Sequence, residues 1–141
     1  ALTTFVDTNV FVYSFDANNG AKQERAQNWL DHLWSSRSGR LSTQVMSEFY
    51  VTATRKLNPS LSLHAAHAEL RQLVAWRPVA ISHPLVQAAW SIEERFGLSY
   101  WDALIVAAAR RSRSECLLTE ELQDGQDLDG VVIVDPFRHE P

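Results

Sequence analysis

Residues Ala103–Ala109 read ALIVAAA, seven consecutive apolar positions that leave no polar face at helical spacing. A helix that is apolar all round belongs in an interior, so the chain must supply other elements to cover it on every side. Short apolar, β-branched runs are available for this at Leu2–Val6, Leu41–Thr43, RPVAIS (77–82), ECLLT (115–119) and VVIVD (131–135). Between them lie segments of helical period. Ala26, Trp29, Leu30, Leu33 and Trp34 mark a helix over 21–34, and Val45, Phe49, Ala53 and Leu57 mark one ended by Asn58-Pro59. Leu63, Ala66, Leu70, Leu73 and Val74 mark a third. Pro84 and Gly97 bracket a fourth that carries Leu85, Ala89, Ile92 and Phe96. Strands alternating with helices of this length predict βαβ units. The expected fold is a three-layer α/β/α sandwich with a mostly parallel sheet, formed as one domain over residues 1–141.

Composition narrows the class. The longest apolar run is far short of the roughly 18 residues of a membrane span. The stretch ALTTFVD lacks a basic-then-apolar leader pattern, so no secretory signal is expected. The single cysteine, Cys116, sits in an apolar run and reads as a small buried hydrophobe, which suits a reducing, cytoplasmic setting. A net charge of −4 argues against broad, non-specific nucleic-acid binding but leaves room for a local basic groove.

Four groups of acids then stand out. In open parallel sheets, ligands bind beyond the carboxyl ends of the strands. Asp7 follows the first strand, and Thr119-Glu120-Glu121 follow ECLLT, so both groups fall on that edge. Asp102 heads the interior helix. Ser99-x-x-Asp102 has the form of a capping box, and an acid suits a helix start, so structural and functional roles coincide there. Glu48, in MSEFY, lies at the margin of its helix's apolar stripe and alone would be an ordinary solvated acid. Together, converging carboxylates repel and raise one another's pKa values. A divalent cation relieves this. All-oxygen ligands select Mg²⁺ or Mn²⁺ over zinc, and such ions activate water and neutralise charge on a phosphodiester.

The ordered segments VDTNVFVYSFD, SEFY, LSYWDALIVAAA and LLTEELQDG resemble the signature segments of PIN-domain ribonucleases, most closely the VapC-type toxins of type II toxin–antitoxin pairs. The resemblance spans essentially the whole chain. It implies a Mg²⁺-dependent endoribonuclease, with Mn²⁺ as a substitute, cleaving RNA through metal-activated water. Asp7, Glu48 and Asp102 match the first three acidic positions, and Asn9 and Thr119 match polar positions that support the acids by hydrogen bonding. The expected metal ligands are Asp7, Asp102 and Glu121. A cognate antitoxin and a homodimer are further expectations, with no membrane partner. One departure stands out: the family usually has Thr-x-Asp where this chain has Thr119-Glu120-Glu121, so Glu120 and Asp124 remain alternatives to Glu121 as the fourth acid.

Other features are assigned structural roles. His64-x-x-His67 lies on the polar side of its helix. Arg110, Arg111 and Arg113 follow the interior helix, where cations suit the dipole. Trp29, Trp34 and Trp90 fit apolar faces, as core or subunit interface. Tyr100 and Trp101 stand where they would line a cleft. An aspartyl phosphatase or phosphotransferase also begins with strand-Asp, but it needs a second acid where Asn9 stands, and Lys22 and Lys56 are the only lysines. A catalytically weak relative that binds RNA or protein is the other rival.

Overall fold

The computed structural model describes residues 2–141. Five strands form one sheet: β1 (Thr4–Val6), β2 (Gly39–Arg40), β3 (Cys116–Leu118), β4 (Asp127–Leu128) and β5 (Val131–Val134), in the order β2-β1-β3-β5-β4. All neighbours are parallel except the β4–β5 hairpin. Six helices flank it: α1 (Thr8–Tyr13), α2 (Gly20–Ser36), α3 (Thr43–Arg55), α4 (Leu63–Gln72), α5 (His83–Phe96) and α6 (Tyr100–Arg111). This is the mostly parallel α/β sandwich that the alternation of periods predicts.

The interior helix is the predicted one. Every residue from Ala103 to Ala109 in α6 is buried, packed against α5 and against β3 and β5. The alanines let α6 approach closely. Leu104, Ile105 and Val106 contribute roughly 1.5–3 kcal/mol each through burial. Four helices share one start signal: Ser42, Ser62, Ser82 and Ser99 each accept a hydrogen bond from the backbone N–H three residues on. Such caps stabilise a helix by about 1 kcal/mol each. Gly97, in the left-handed region at φ 66°, ends α5 as its sequence position suggests.

Several expectations shift. The strand expected at Leu41–Thr43 forms two residues earlier, because Ser42 caps α3 and Thr43 is already helical. RPVAIS contributes only an isolated bridge from Val79 to Ser42. Arg77 turns the backbone at φ 55° and Pro78 has no N–H, so the ladder cannot extend. Leu63 and Val74 are exposed instead of buried. After Gln72 the chain tightens into a 3₁₀ turn, Leu73–Trp76, whose period of three swings Trp76 inward and Val74 outward. Trp29 is in the core, whereas Trp34 and Trp90 remain 39% and 50% exposed. Helix α1 is too short for its period to be read, and β4 has only two residues.

Trp76 lies flat on the backbone of β2. A Cβ placed on Gly39 would stand 2.6 Å from its ring. Gly39→Ala is therefore expected to destabilise the protein by about 1–3 kcal/mol. Gly20→Ala, where a Cβ meets nothing within 4 Å, should be neutral or better in the same denaturant titration.

Candidate active site

The carboxyl end of β1 delivers Asp7 into the interior, only 6% exposed. Asp7 caps α1: its Oδ1 accepts from the Thr8 N–H at 2.7 Å. Parallel pairing of β1 with β3 aligns Val6 with Leu118 and so sets Thr119 beside Asp7. The Thr119 hydroxyl donates to Asp7 Oδ2 at 2.9 Å and accepts from Asn9 Nδ2 at 3.1 Å and from the Glu121 N–H at 3.1 Å. Asn9 Nδ2 also lies 3.3 Å from Asp7 Oδ2. Three donors thus face one buried carboxyl group. They do not outweigh its desolvation. Burial pushes the Asp7 pKa up to about 7, the bonds from Thr119 and Thr8 oppose this, and the charges of Glu121 and Glu48 add to it.

Asp7, Thr8 and Asn9 line a cavity of about 840 Å³, with the fully buried Thr119 behind them. Glu48 reaches it from the second turn of α3, Asp102 from the first turn of α6, and Glu120 and Glu121 from the loop after β3. Four expected acids from four separate segments therefore line one cavity. Glu48 Oε1 accepts from the Thr8 hydroxyl at 2.6 Å, and its other oxygen lies 3.5 Å from Gln44 Nε2. Ser99 caps α6 by accepting from the Asp102 backbone N–H, and the Asp102 carboxylate stands in the first turn, where the helix dipole favours an acid. Glu121 lies on the rim. Desolvation, then the charges of Asp102, Glu120 and Glu48, holds its carboxyl above the ordinary glutamate value.

The three acids that the sequence leaves open have different surroundings, although Glu120 and Glu121 both line the cavity. Glu120 is held by Lys22, whose ammonium lies 2.6 Å from Glu120 Oε2 and over the rings of Tyr13 and Phe137 at 4.7 and 4.8 Å. Asp124 accepts from the Asp135 N–H and pairs with His139 at 2.8 Å, and it is absent from the cavity wall. Glu121 faces the cavity with no cationic partner among the described residues. Trp101 lines the cavity and Tyr100 does not. Thr8, Lys22, Gln44 and Lys56 are parts of the site that sequence reasoning missed. Thr8 lies inside the DTN stretch. Lys22 gave a signal only in being one of two lysines.

The acids share a cavity without closing into a cage: among the described residues, no group of three or more His, Cys, Asp or Glu side chains is arranged to hold a metal ion. The donor chemistry nevertheless suits a hard divalent cation. The wall offers carboxylates, hydroxyls and amides, with neither His nor Cys, and two of its acids are raised by burial and mutual charge.

With this geometry in place, comparison with known proteins is informative. The PIN domain family model matches residues 4–123, and the chain belongs to that family. A toxin–antitoxin complex from Klebsiella pneumoniae contains a chain of the same fold at 21% identity and TM-score 0.68, covering 98% of this chain and 99% of that one. FitAB bound to a DNA fragment aligns at 20% identity and TM-score 0.69, over 98% of each chain. VapC20 from Mycobacterium tuberculosis, a sarcin-ricin loop cleaving toxin, aligns at 22% identity and TM-score 0.56, over 81% of this chain and 86% of that one. No curated protein matches the sequence.

The raised Asp7 value has a sign that can be checked. Its folded-state pKa lies above the ordinary 3.8, so ionising it works against folding. The stability it contributes is complete below about pH 4 and is lost as pH rises through about 7. Metal-free native protein should therefore lose stability relative to Asp7→Asn over that interval. The loss should reach ~4 kcal/mol, at about 1.36 kcal/mol per pH unit, in urea titrations across pH.

Proposed function

We propose that the protein is a Mg²⁺- or Mn²⁺-dependent endoribonuclease that acts as the toxin of a type II toxin–antitoxin pair. The observation that carries this reading is that Asp7, Glu48, Asp102 and Glu121, from four separate segments, line one cavity. Membership of the PIN family and the shared fold of toxin–antitoxin chains support it.

Asp7, Asp102 and Glu121 would hold the ion. When bound, a divalent cation activates water for attack on phosphorus and neutralises charge developing on the phosphate oxygens. The chain's own residues prepare the place. Thr119, Asn9 and the Thr8 N–H fix the orientation of Asp7, while the Thr8 hydroxyl holds Glu48 on the same cavity. Lys22 neutralises Glu120 and keeps it from competing with Glu121. Glu48, on the same cavity, would accept a proton from the attacking water. The RNA strand is the substrate, and a cognate antitoxin, a homodimer and a cytoplasmic setting complete the reading.

The test incubates antitoxin-free protein with total cellular RNA in Mg²⁺, Mn²⁺ or EDTA. Discrete fragments should form with either metal and vanish in EDTA or with Asp7→Asn. Uncut RNA in every lane, from protein shown to be folded, would sink the reading. Among the acids, Glu121→Gln should abolish cleavage and Asp124→Asn should leave it largely intact. Thr119→Val should slow it by roughly 10–100-fold, as for loss of a group that orients a ligand.

A further inference from the structure

The opposite edge of the sheet carries the reverse charge. Arg40, Arg77, Arg111 and Arg113, with Thr3 and Ser112, surround a hollow of about 390 Å³ at the amino ends of the strands. A neighbouring hollow of about 250 Å³ shares Arg40 and Arg77 and adds Arg37. No acid lines either one, and none of these five arginines is in an ion pair among the described residues. The fold brings them together from distant segments. Arg40 ends β2, Arg77 lies two residues before the bridge of Val79 to Ser42, Arg111 ends α6, and Arg113 lies between α6 and β3.

Part of this has a local explanation. The C-termini of α2, of the 3₁₀ turn and of α6 all point here, and cations suit helix C-termini. The explanation falls short on two counts. Three helix ends carry about −0.5 charge each, against five guanidinium charges, leaving a surplus of roughly three to four. Arg37, Arg77 and Arg113 also sit in the left-handed region at φ 55°, 55° and 57°, where glycine is favoured and a side chain costs roughly 1 kcal/mol or more. Cationic side chains thus occupy backbone positions that favour glycine, around hollows where they repel one another.

An anion relieves that repulsion, and the guanidinium fork matches phosphate oxygens two at a time. Two adjoining hollows that share Arg40 and Arg77 offer a row of anion positions, which suits linked phosphates better than a single one. We infer that this arginine-lined edge binds the phosphate groups of a nucleic-acid backbone, at the end of the strands remote from the acidic cavity. The inference does not rest on the nuclease reading, and metal-free protein tests it separately.

The experiment measures fluorescence anisotropy of a labelled RNA stem-loop, and of a DNA duplex of equal length, against protein in EDTA over a range of salt. Native protein should bind one or both. Arg40→Gln/Arg111→Gln avoids the left-handed positions; it should weaken binding at least tenfold at low salt. It should also reduce the slope of log affinity on log salt by about 2, near 0.9 for each lost phosphate contact. Arg40→Lys/Arg111→Lys should keep most of the slope, which separates loss of charge from damage to the fold. Arg55→Gln/Arg71→Gln, on α3 and α4, should keep it too. Loss with RNA alone, DNA alone or both identifies the source of the phosphates. Native protein that binds neither, an unchanged slope in the Gln pair, or an equal loss in the Arg55/Arg71 pair overturns the inference.

Discussion

The site depends on one unfavourable placement: a carboxyl group carried into the interior by the central strand. Asp7 must follow Val6, and Val6 is fully buried because β1 lies between β2 and β3. Burying an ionised carboxylate is costly unless it is hydrogen-bonded or paired. The chain answers with donors from three places: the first N–H of α1, the Asn9 amide and the Thr119 hydroxyl across the β1–β3 register. A slip of that register by one residue would remove Thr119 and turn every side chain of β3 to the other face. The order of the sheet and the order of the site are therefore one constraint.

A second theme is how the chain sorts its many acids. Glu120 and Asp124 each receive a cationic or potentially cationic neighbour, Lys22 or His139, and are drawn aside. Asp129 is similarly held between Arg95 and Arg110, and the Arg95 hydrogen bond, aided by both positive charges, keeps its carboxyl below the usual aspartate value. Among the described residues, Glu121 is left unpaired on the same cavity as Asp102 and Glu48, near enough for their charges to raise its pKa. The Thr-x-Glu departure from the family's usual Thr-x-Asp thus leaves the acid two residues after Thr119 in place at the rim, with one more methylene of reach.

Much of this was legible in the sequence. The all-apolar stretch of α6 has only one kind of home, and Pro84 and Gly97 mark helix ends for steric reasons that hold in any context. Asp7, Glu48 and Asp102 could be nominated because strand ends and helix starts in a parallel sheet meet at one edge. The fate of Glu120 was not legible, because Lys22 lies 98 residues away and meets it only through the packing of Tyr13 and Phe137. The arginine patch was not legible either: Arg111 and Arg113 read as cations at a helix end, and Arg37, Arg40 and Arg77 gave no signal of their own. Their gathering follows from the register of β2 and from the direction of three helices, which local spacing does not encode. Val74 was misplaced because a change from α to 3₁₀ period is invisible in a pattern of apolar residues.

The two outermost strands, β2 and β4, are each only two residues long. A sheet edge recruits another strand through a row of unpaired N–H and C=O groups, and two residues offer almost none. Beyond Arg40 the backbone turns directly into the cap of α3, and β4 carries the charged Asp127. The sheet is thereby closed to growth on both sides. A second copy of this chain, or any extended peptide, therefore finds few free backbone groups for strand addition at either end of the sheet, and edge-to-edge aggregation has little to build on.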